Sequence, residues 1–133
     1  MATTDETTLT LFRSVPVIPV VVVDGPADAV PLARALVAGG LPIVEITLRT
    51  AGGIDAIRAV AAEVPDVIVG AGSVLGPAMA EEATRAGARF LVSPGTTAAL
   101  REIFRASALP CLGGVATASE AMTMAELGLT FMK

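Results

Sequence analysis

Leu41-Pro42-Ile43-Val44-Glu45-Ile46-Thr47-Leu48-Arg49-Thr50 is the stretch that decides the fold. Its β-branched residues and alternating side chains predict a β-strand over 43–49. The two faces of that strand are Val44, Ile46 and Leu48 on one side and Glu45, Thr47 and Arg49 on the other. A polar face in so apolar a chain has two explanations. The strand lies at an edge or faces solvent, or its polar face lines a site.

The composition is that of one soluble α/β domain. The chain has 133 residues, of which 53% are hydrophobic and 3% aromatic, with a mean hydropathy of +0.74. Ala, Val, Leu and Ile supply this apolar content, which suits helices packed on a buried parallel sheet. The longest apolar run, 15–23, contains two prolines and is shorter than the roughly 18 residues that cross a bilayer. The acidic, polar residues 1–6 are unlike a signal peptide, so we expect a cytoplasmic protein without a membrane partner.

The charged and reactive residues exclude several classes of function. The net charge of −4 and the scarcity of aromatic residues argue against a nucleic-acid partner. No His is present and Cys111 is the single Cys, so these residues cannot build a Ser-His-Asp triad or a His-ligated zinc site. We therefore expect no metal and no cofactor. Lys133 is the single Lys among arginines, and Arg cannot replace it as a nucleophile because the guanidinium stays protonated.

Strand and helix patterns alternate along the chain. After a frayed segment at 1–8 and a helical lead-in at 9–14, strands are predicted at 15–23, 43–49, 67–70, 89–92 and 109–112, and a sixth begins at 129–133. Helices are predicted at 27–38, 54–63 and 77–86, from a Thr96 or Thr97 cap to about 105, and from a Thr117 cap to 127. This alternation predicts a parallel sheet with right-handed crossovers. The segment 70–73 is predicted to be a loop, and it is not a dinucleotide fingerprint because Leu75 occupies the third glycine position.

The candidate site residues follow the predicted strands. Ligand sites of parallel α/β proteins lie at the carboxyl ends of the strands. The polar and loop residues at or near those ends are Glu45, Arg49, Ser73, Pro94, Gly114 and Lys133. Their shared location favours the explanation in which the polar face of the strand at 43–49 lines a site.

Four motifs together resemble a known family. They are Val44-Glu45-Ile46-Thr47-Leu48-Arg49-Thr50, Gly70-Ala71-Gly72-Ser73-Val74-Leu75, Val92-Ser93-Pro94-Gly95 and Phe131-Met132-Lys133. In this order they resemble the class I aldolases that act on 2-keto-3-deoxy-6-phosphogluconate (KDPG) and 4-hydroxy-2-oxoglutarate (KHG). The resemblance runs from about Val15 to Lys133. It implies a (β/α)8 TIM barrel, of which the chain covers the first five units and the sixth strand.

The resemblance also implies a domain organisation. Residues 1–14 would be a lead-in, and residues 15–133 the N-terminal part of a single barrel domain. Because six strands leave a barrel open, we expect the domain to continue beyond residue 133. The family's last two strands carry its phosphate-binding loops, so we assign no phosphate-binding residue. A natural chain ending at 133 would be expected to fold poorly and to lack activity.

The resemblance assigns a role to each candidate residue. Lys133 would be the Schiff-base nucleophile, Glu45 the general acid/base, and Arg49 the clamp on the substrate carboxylate. Ser73 stands where the family usually has Thr and would bind substrate. Without the resemblance, alternatives stay open: Lys133 as a solvated lysine, Glu45 and Arg49 as a cross-strand ion pair, and Ser73 as a helix cap.

Two loops would complete the site. Pro94 and Gly95 would shape the wall around the pyruvyl group. Gly114, in the loop at 113–117, would also bind substrate. The family's Pro-Gly-Ile-Ser-Thr loop is Gly113-Gly114-Val115-Ala116-Thr117 here. The loss of its Pro and its Ser hydroxyl leaves the substrate preference open.

The implied function is cleavage of KDPG, or a related 2-keto-4-hydroxy acid, to pyruvate and an aldehyde (glyceraldehyde 3-phosphate or glyoxylate). That chemistry belongs to the Entner-Doudoroff pathway, and the resemblance implies a homotrimer. Two alternatives are a related barrel enzyme that decarboxylates or isomerises a phosphorylated sugar acid, and a catalytically silent oligomeric barrel.

Overall fold

Helices and strands alternate throughout residues 4–133, the part of the chain that the computed structural model describes. The helices are α1 (Thr4–Arg13), α2 (Pro26–Ala38), α3 (Gly53–Glu63), α4 (Pro77–Ala86), α5 (Ala98–Ala106) and α6 (Ala118–Glu126). The strands are β1 (Val20–Val21), β2 (Ile43–Thr47), β3 (Ile68–Gly72), β4 (Leu91–Val92) and β5 (Cys111–Leu112). None of the described helices α1 to α6 is a candidate membrane span.

The five strands form one parallel sheet in the order of the sequence, β1-β2-β3-β4-β5. A sixth strand begins where Gly113 pairs in parallel with Met132, and the Lys133 N–H donates to the Gly113 carbonyl oxygen at 2.9 Å. Consecutive parallel strands joined by helices are the arrangement from which a (β/α)8 barrel is built. The predicted fold class is therefore confirmed.

Most strands are shorter than the sequence predicts. β1 pairs only at Val20 and Val21, because prolines at 16 and 19 carry no N–H for a ladder. β2 turns away after Thr47, so Arg49 lies in the following loop. The predicted loop at 70–73 is wrong, because residues 70–72 continue β3 and pair with residues 45–47 of β2.

The main hydrophobic core lies between the sheet and the surrounding helices. Side chains of β2 and β3 such as Ile46 and Val69 pack there against buried residues of α3 such as Ile57. Cys111 belongs to this core, and burial raises the pKa of its thiol to about 11. It therefore has the structural role of a small core residue.

A second cluster lies on the other face of the sheet. Ile43, Phe90 and Val92 form its buried centre, and Leu11 and Phe12 of α1 pack against them. The Phe12 and Phe90 rings meet edge to face with centroids 5.6 Å apart. The prediction of a frayed segment at 1–8 is thus wrong for residues 4–8, and residues 1–3 lie outside the described part. α1 covers the amino ends of the strands.

The boundaries of helices α2 to α6 agree closely with the sequence prediction. α4 spans the predicted residues, and Gly87 ends it with φ 104 in the left-handed region. The Thr97 side chain accepts the N–H of Leu100 and so caps α5. Thr117 and Glu120 form a reciprocal capping box at the start of α6. These signals are local, and local sequence is sufficient to read them.

Candidate active site

The polar face of β2 is buried. Glu45 is 5% exposed and Thr47 is fully buried, and β2 pairs with a strand on each side. The Thr47 hydroxyl donates to the Val21 carbonyl oxygen at 3.1 Å, which satisfies it inside the sheet. The edge-strand explanation is therefore wrong, and a carboxylate inside the fold needs another reason.

Glu45 lies on the same face as the cluster around Phe90, two residues closer to the carboxyl edge than Ile43. Burial raises the pKa of the Glu45 carboxyl above its ordinary value, and the positive charges of Lys133 and Arg49 act in the opposite direction. The charges of two predicted site residues thus influence the pKa of a third. Ion pairs such as Arg34–Glu63, Arg58–Asp55 and Arg105–Glu102 lie elsewhere on the surface, and Glu45 forms no direct ion pair with a described side chain.

Arg49 binds Ser73. The Nε–H of Arg49 donates to the Ser73 Oγ at 3.1 Å, so the cross-strand pair with Glu45 is not formed. Ser73 directly follows β3 with φ 56, a left-handed conformation that is uncommon outside glycine. It does not cap α4, whose N-cap is Gly76. Arg49 is exposed, and its terminal nitrogens stay available for a carboxylate.

Lys133 is placed by backbone pairing with the loop after β5. Its N–H donates to Gly113, and its carbonyl oxygen accepts the Val115 N–H at 2.9 Å. These bonds place Lys133 at the same edge of the sheet as Glu45, Arg49 and Ser73, and its charge acts on the Glu45 carboxyl. The Lys133 side chain is exposed.

The remaining predicted residues form a second group from the loops after β4 and β5. A Cβ on Gly114 would lie 2.1 Å from the Pro94 carbonyl oxygen and 2.6 Å from the Gly95 nitrogen, so the two loops are in close contact. Pro94 and Gly95 themselves are exposed. No hydrogen bond in the described chain links this group directly to Glu45, Arg49 or Ser73.

Sequence reasoning missed two residues that hold this second group together. The fully buried Ser93 accepts the Gly114 N–H at 3.4 Å, and the Thr96 hydroxyl donates to the Gly114 carbonyl oxygen at 3.2 Å. Ser93 could have been identified as a site residue because it carries a hydroxyl directly after the apolar strand β4, just as polar residues follow β2 and β3. Its partner on another loop could not be read from the sequence.

A cavity of about 510 Å³ lies elsewhere, on the outer side of the sheet between α4 and α5. Its lining is mainly apolar and includes Ala80, Thr84, Leu91, Ile103 and Leu109. None of the seven predicted site residues lines it. The chemistry-bearing residues and this apolar groove are therefore separate features.

Comparison with known proteins decides the family. The family model described as "Aldolase: KDPG and KHG aldolase" matches residues 9–133. The chain belongs to the KDPG and KHG aldolase family. The KHG/KDPG aldolase of Escherichia coli strain K12 is 49% identical over 118 residues, which are 89% of this chain and 55% of that protein. The 2-dehydro-3-deoxy-phosphogluconate aldolase of Dickeya dadantii strain 3937 is 47% identical over the same shares of both chains.

Solved structures of KDPG aldolases are similar to this chain as well. The crystal structure of the KDPG aldolase of Zymomonas mobilis ZM4 with 3-phosphoglycerate has a TM-score of 0.86 at 46% identity, covering 92% of this chain and 58% of that one. The Legionella pneumophila KDPG aldolase, with pyruvate captured at low pH as a covalent carbinolamine intermediate, has a TM-score of 0.87 at 41% identity, covering 91% and 59%. The chain thus spans little more than half the length of the relatives it matches. The predicted family is confirmed.

Proposed function

We propose that this chain supplies the Schiff-base part of a class I aldolase that cleaves KDPG, or a related 2-keto-4-hydroxy acid, to pyruvate and an aldehyde. The observation that carries this proposal is the buried Glu45 carboxylate, whose pKa is raised by burial while the charges of Lys133, the single Lys, and of Arg49 act to lower it. The relatives named above are aldolases, and nothing in those comparisons favours the barrel decarboxylase or the silent scaffold.

Lys133 forms the covalent intermediate in this proposal. Its neutral amine attacks the C2 carbonyl carbon, and loss of water leaves an iminium. The iminium accepts the electron pair of the breaking C3–C4 bond while the C4 hydroxyl gives up its proton. The aldehyde leaves, C3 of the enamine is protonated, and hydrolysis releases pyruvate and the free amine.

Glu45 is the proton carrier. It takes the C4 hydroxyl proton and returns a proton to C3. A carboxyl group does this best when its pKa approaches the working pH, and burial shifts Glu45 in that direction. The family relative from Legionella, with its covalent carbinolamine, supports the same type of intermediate for this chain.

Arg49 and the glycine-rich loops bind the substrate. The Arg49 guanidinium, held at Nε by Ser73, presents its remaining N–H groups to the C1 carboxylate. Pro94, Gly95 and Gly114 form the wall next to the pyruvyl group. We propose in addition that residues 15–133 are the N-terminal part of a single barrel domain after a lead-in at 1–14. We also propose that the whole protein is a cytoplasmic homotrimer of the Entner-Doudoroff pathway.

A turnover assay on the intact protein tests the activity. Pyruvate released from KDPG or KHG is followed with lactate dehydrogenase, in the parent and in Lys133→Arg. Arginine keeps the positive charge near Glu45 but cannot attack a carbonyl, so we expect release to fall to background while the fold survives. Undiminished release by Lys133→Arg would contradict the proposal.

A further inference from the structure

Gly72, the last residue of β3, lies directly beneath the Glu45 carboxylate. A Cβ built on Gly72 would lie 1.9 Å from Glu45 Oε1, 2.7 Å from Cδ and 2.8 Å from Cγ. Gly72 is buried, and its φ is outside the left-handed region in which the chain has glycines at 40, 87 and 128. The backbone conformation therefore does not call for glycine at 72, whereas the space occupied by the carboxylate does.

We propose that Gly72 is a positioning residue whose missing side chain creates the recess in which the Glu45 carboxylate rests. The recess has rigid walls, because Gly72 pairs with Thr47 and its carbonyl oxygen accepts the Leu48 N–H at 2.8 Å. β3 cannot withdraw from an added methyl group without losing these bonds. The carboxylate must move instead.

The recess lies next to the residue that holds Arg49. Ser73, the following residue, accepts the hydrogen bond of Arg49. The end of β3 thus fixes two groups at once: Gly72 sets the place of the Glu45 carboxylate, and Ser73 sets that of the Arg49 guanidinium. The effect on catalysis depends on the proposed function, whereas the recess is a property of the fold alone.

Gly72→Ala is the test variant, and Gly70→Ala is its matched control. Gly70 lies on the same strand and face, but the atoms nearest to a Cβ there would be those of the Phe90 ring at 2.3 to 2.4 Å, whereas at Gly72 they are those of the Glu45 side chain. Both changes add one methyl group to a crowded position. The first one crowds the Glu45 carboxylate directly, and the second one crowds the Phe90 ring.

Stability supplies a readout that does not need activity. Thermal unfolding is measured for each alanine variant in the parent and in a Glu45→Ala background, in which the recess is empty. We expect Gly72→Ala to lower Tm in the parent and to have much less effect beside Glu45→Ala, while the loss from Gly70→Ala is the same in both. Equal losses from Gly72→Ala in both backgrounds would overturn the proposal.

Kinetics supply the second readout. A displacement of about 1 Å in a catalytic group can cost about 10²-fold in rate. We therefore expect Gly72→Ala to lower kcat by that order with little change in KM, and to shift the acidic limb of the pH profile. If the parent cleaves substrate and Gly72→Ala matches its kcat and pH profile, the positioning role is refuted while the aldolase proposal stands. If the parent never forms a pyruvate adduct, the aldolase proposal fails, and the Tm comparison still decides the recess.

Discussion

At the scale of the residue, Glu45 shows what a pattern in the sequence can and cannot reveal. Its alternation with Val44 and Ile46 placed it on a polar face, and its burial follows from the strand's position between β1 and β3. The sequence could not show that Gly72 makes room for it, because that contact joins residues 27 positions apart in pairing strands. For the same reason Ser93 and Thr96 were missed.

Replacing the buried carboxyl should change how stability depends on pH. The folded-state pKa of Glu45 is raised, so the unfolded chain loses its proton first as pH rises. Stability therefore falls as pH rises from the ordinary pKa to the raised one, by about 1.4 kcal/mol for each pH unit between them. We expect Glu45→Gln to remove this fall and to be more stable than the parent at pH 7 in urea unfolding.

The comparison variant for that experiment is Glu63→Gln, since Glu63 is exposed in a surface pair with Arg34. The fall of stability that we assign to Glu45 should remain in this variant. A Glu45→Gln protein that shows the parent's pH dependence would mean that the carboxyl is not desolvated as the structure indicates.

The hydrogen bond between Arg49 and Ser73 should affect substrate affinity. Ser73→Ala removes the acceptor, and a hydrogen bond is worth about 0.5–1.5 kcal/mol, so we expect KM for the 2-keto acid to rise about 2- to 10-fold with a smaller change in kcat. Ser73→Thr keeps the hydroxyl and should keep KM. It should also lower Tm slightly, because a β-branched residue is strained at φ 56. An unchanged KM in Ser73→Ala would show that the bond does not help to bind substrate.

At the scale of the element, the sequence predicts helices α2 to α6 closely and the strand ends poorly. The Thr117 capping box and the Gly87 terminus are encoded by neighbouring residues, so α4 and α6 could be read directly. Strand ends depend on partners elsewhere. β3 runs through Gly72 because β2 pairs with it there, and no local signal distinguishes this from a glycine loop.

The capping box should contribute measurably to the stability of α6, the helix that leads to Lys133. We expect Thr117→Ala to lower the free energy of unfolding by about 1 kcal/mol, because the Glu120 N–H loses its side-chain acceptor. Thr123→Ala on the same helix removes only a bond to the Ser119 carbonyl oxygen and should change stability by less than about 0.5 kcal/mol. Equal effects of the two changes would contradict the capping role.

At the scale of the whole molecule, alternation of strands and helices was sufficient to predict a parallel sheet with consecutive order. It did not predict that α1 covers the amino ends of the strands, because the Thr-rich, acidic segment lacks an obvious apolar face. The sheet leaves β1 as an edge, where Val20 is 54% and the neighbouring Val22 57% exposed. Such an edge fits part of a barrel. In the relatives, the additional length would supply the remaining strands.

In the proposed mechanism, the Lys133 amine and the Glu45 carboxyl serve one covalent site. The most direct measurement is borohydride reduction of the intact protein in the presence of pyruvate, followed by peptide mass spectrometry. We predict the mass of a reduced pyruvate adduct on the peptide that contains Lys133, formed more slowly in Glu45→Gln and absent in Lys133→Arg. A folded parent protein with no adduct on that peptide would contradict the account.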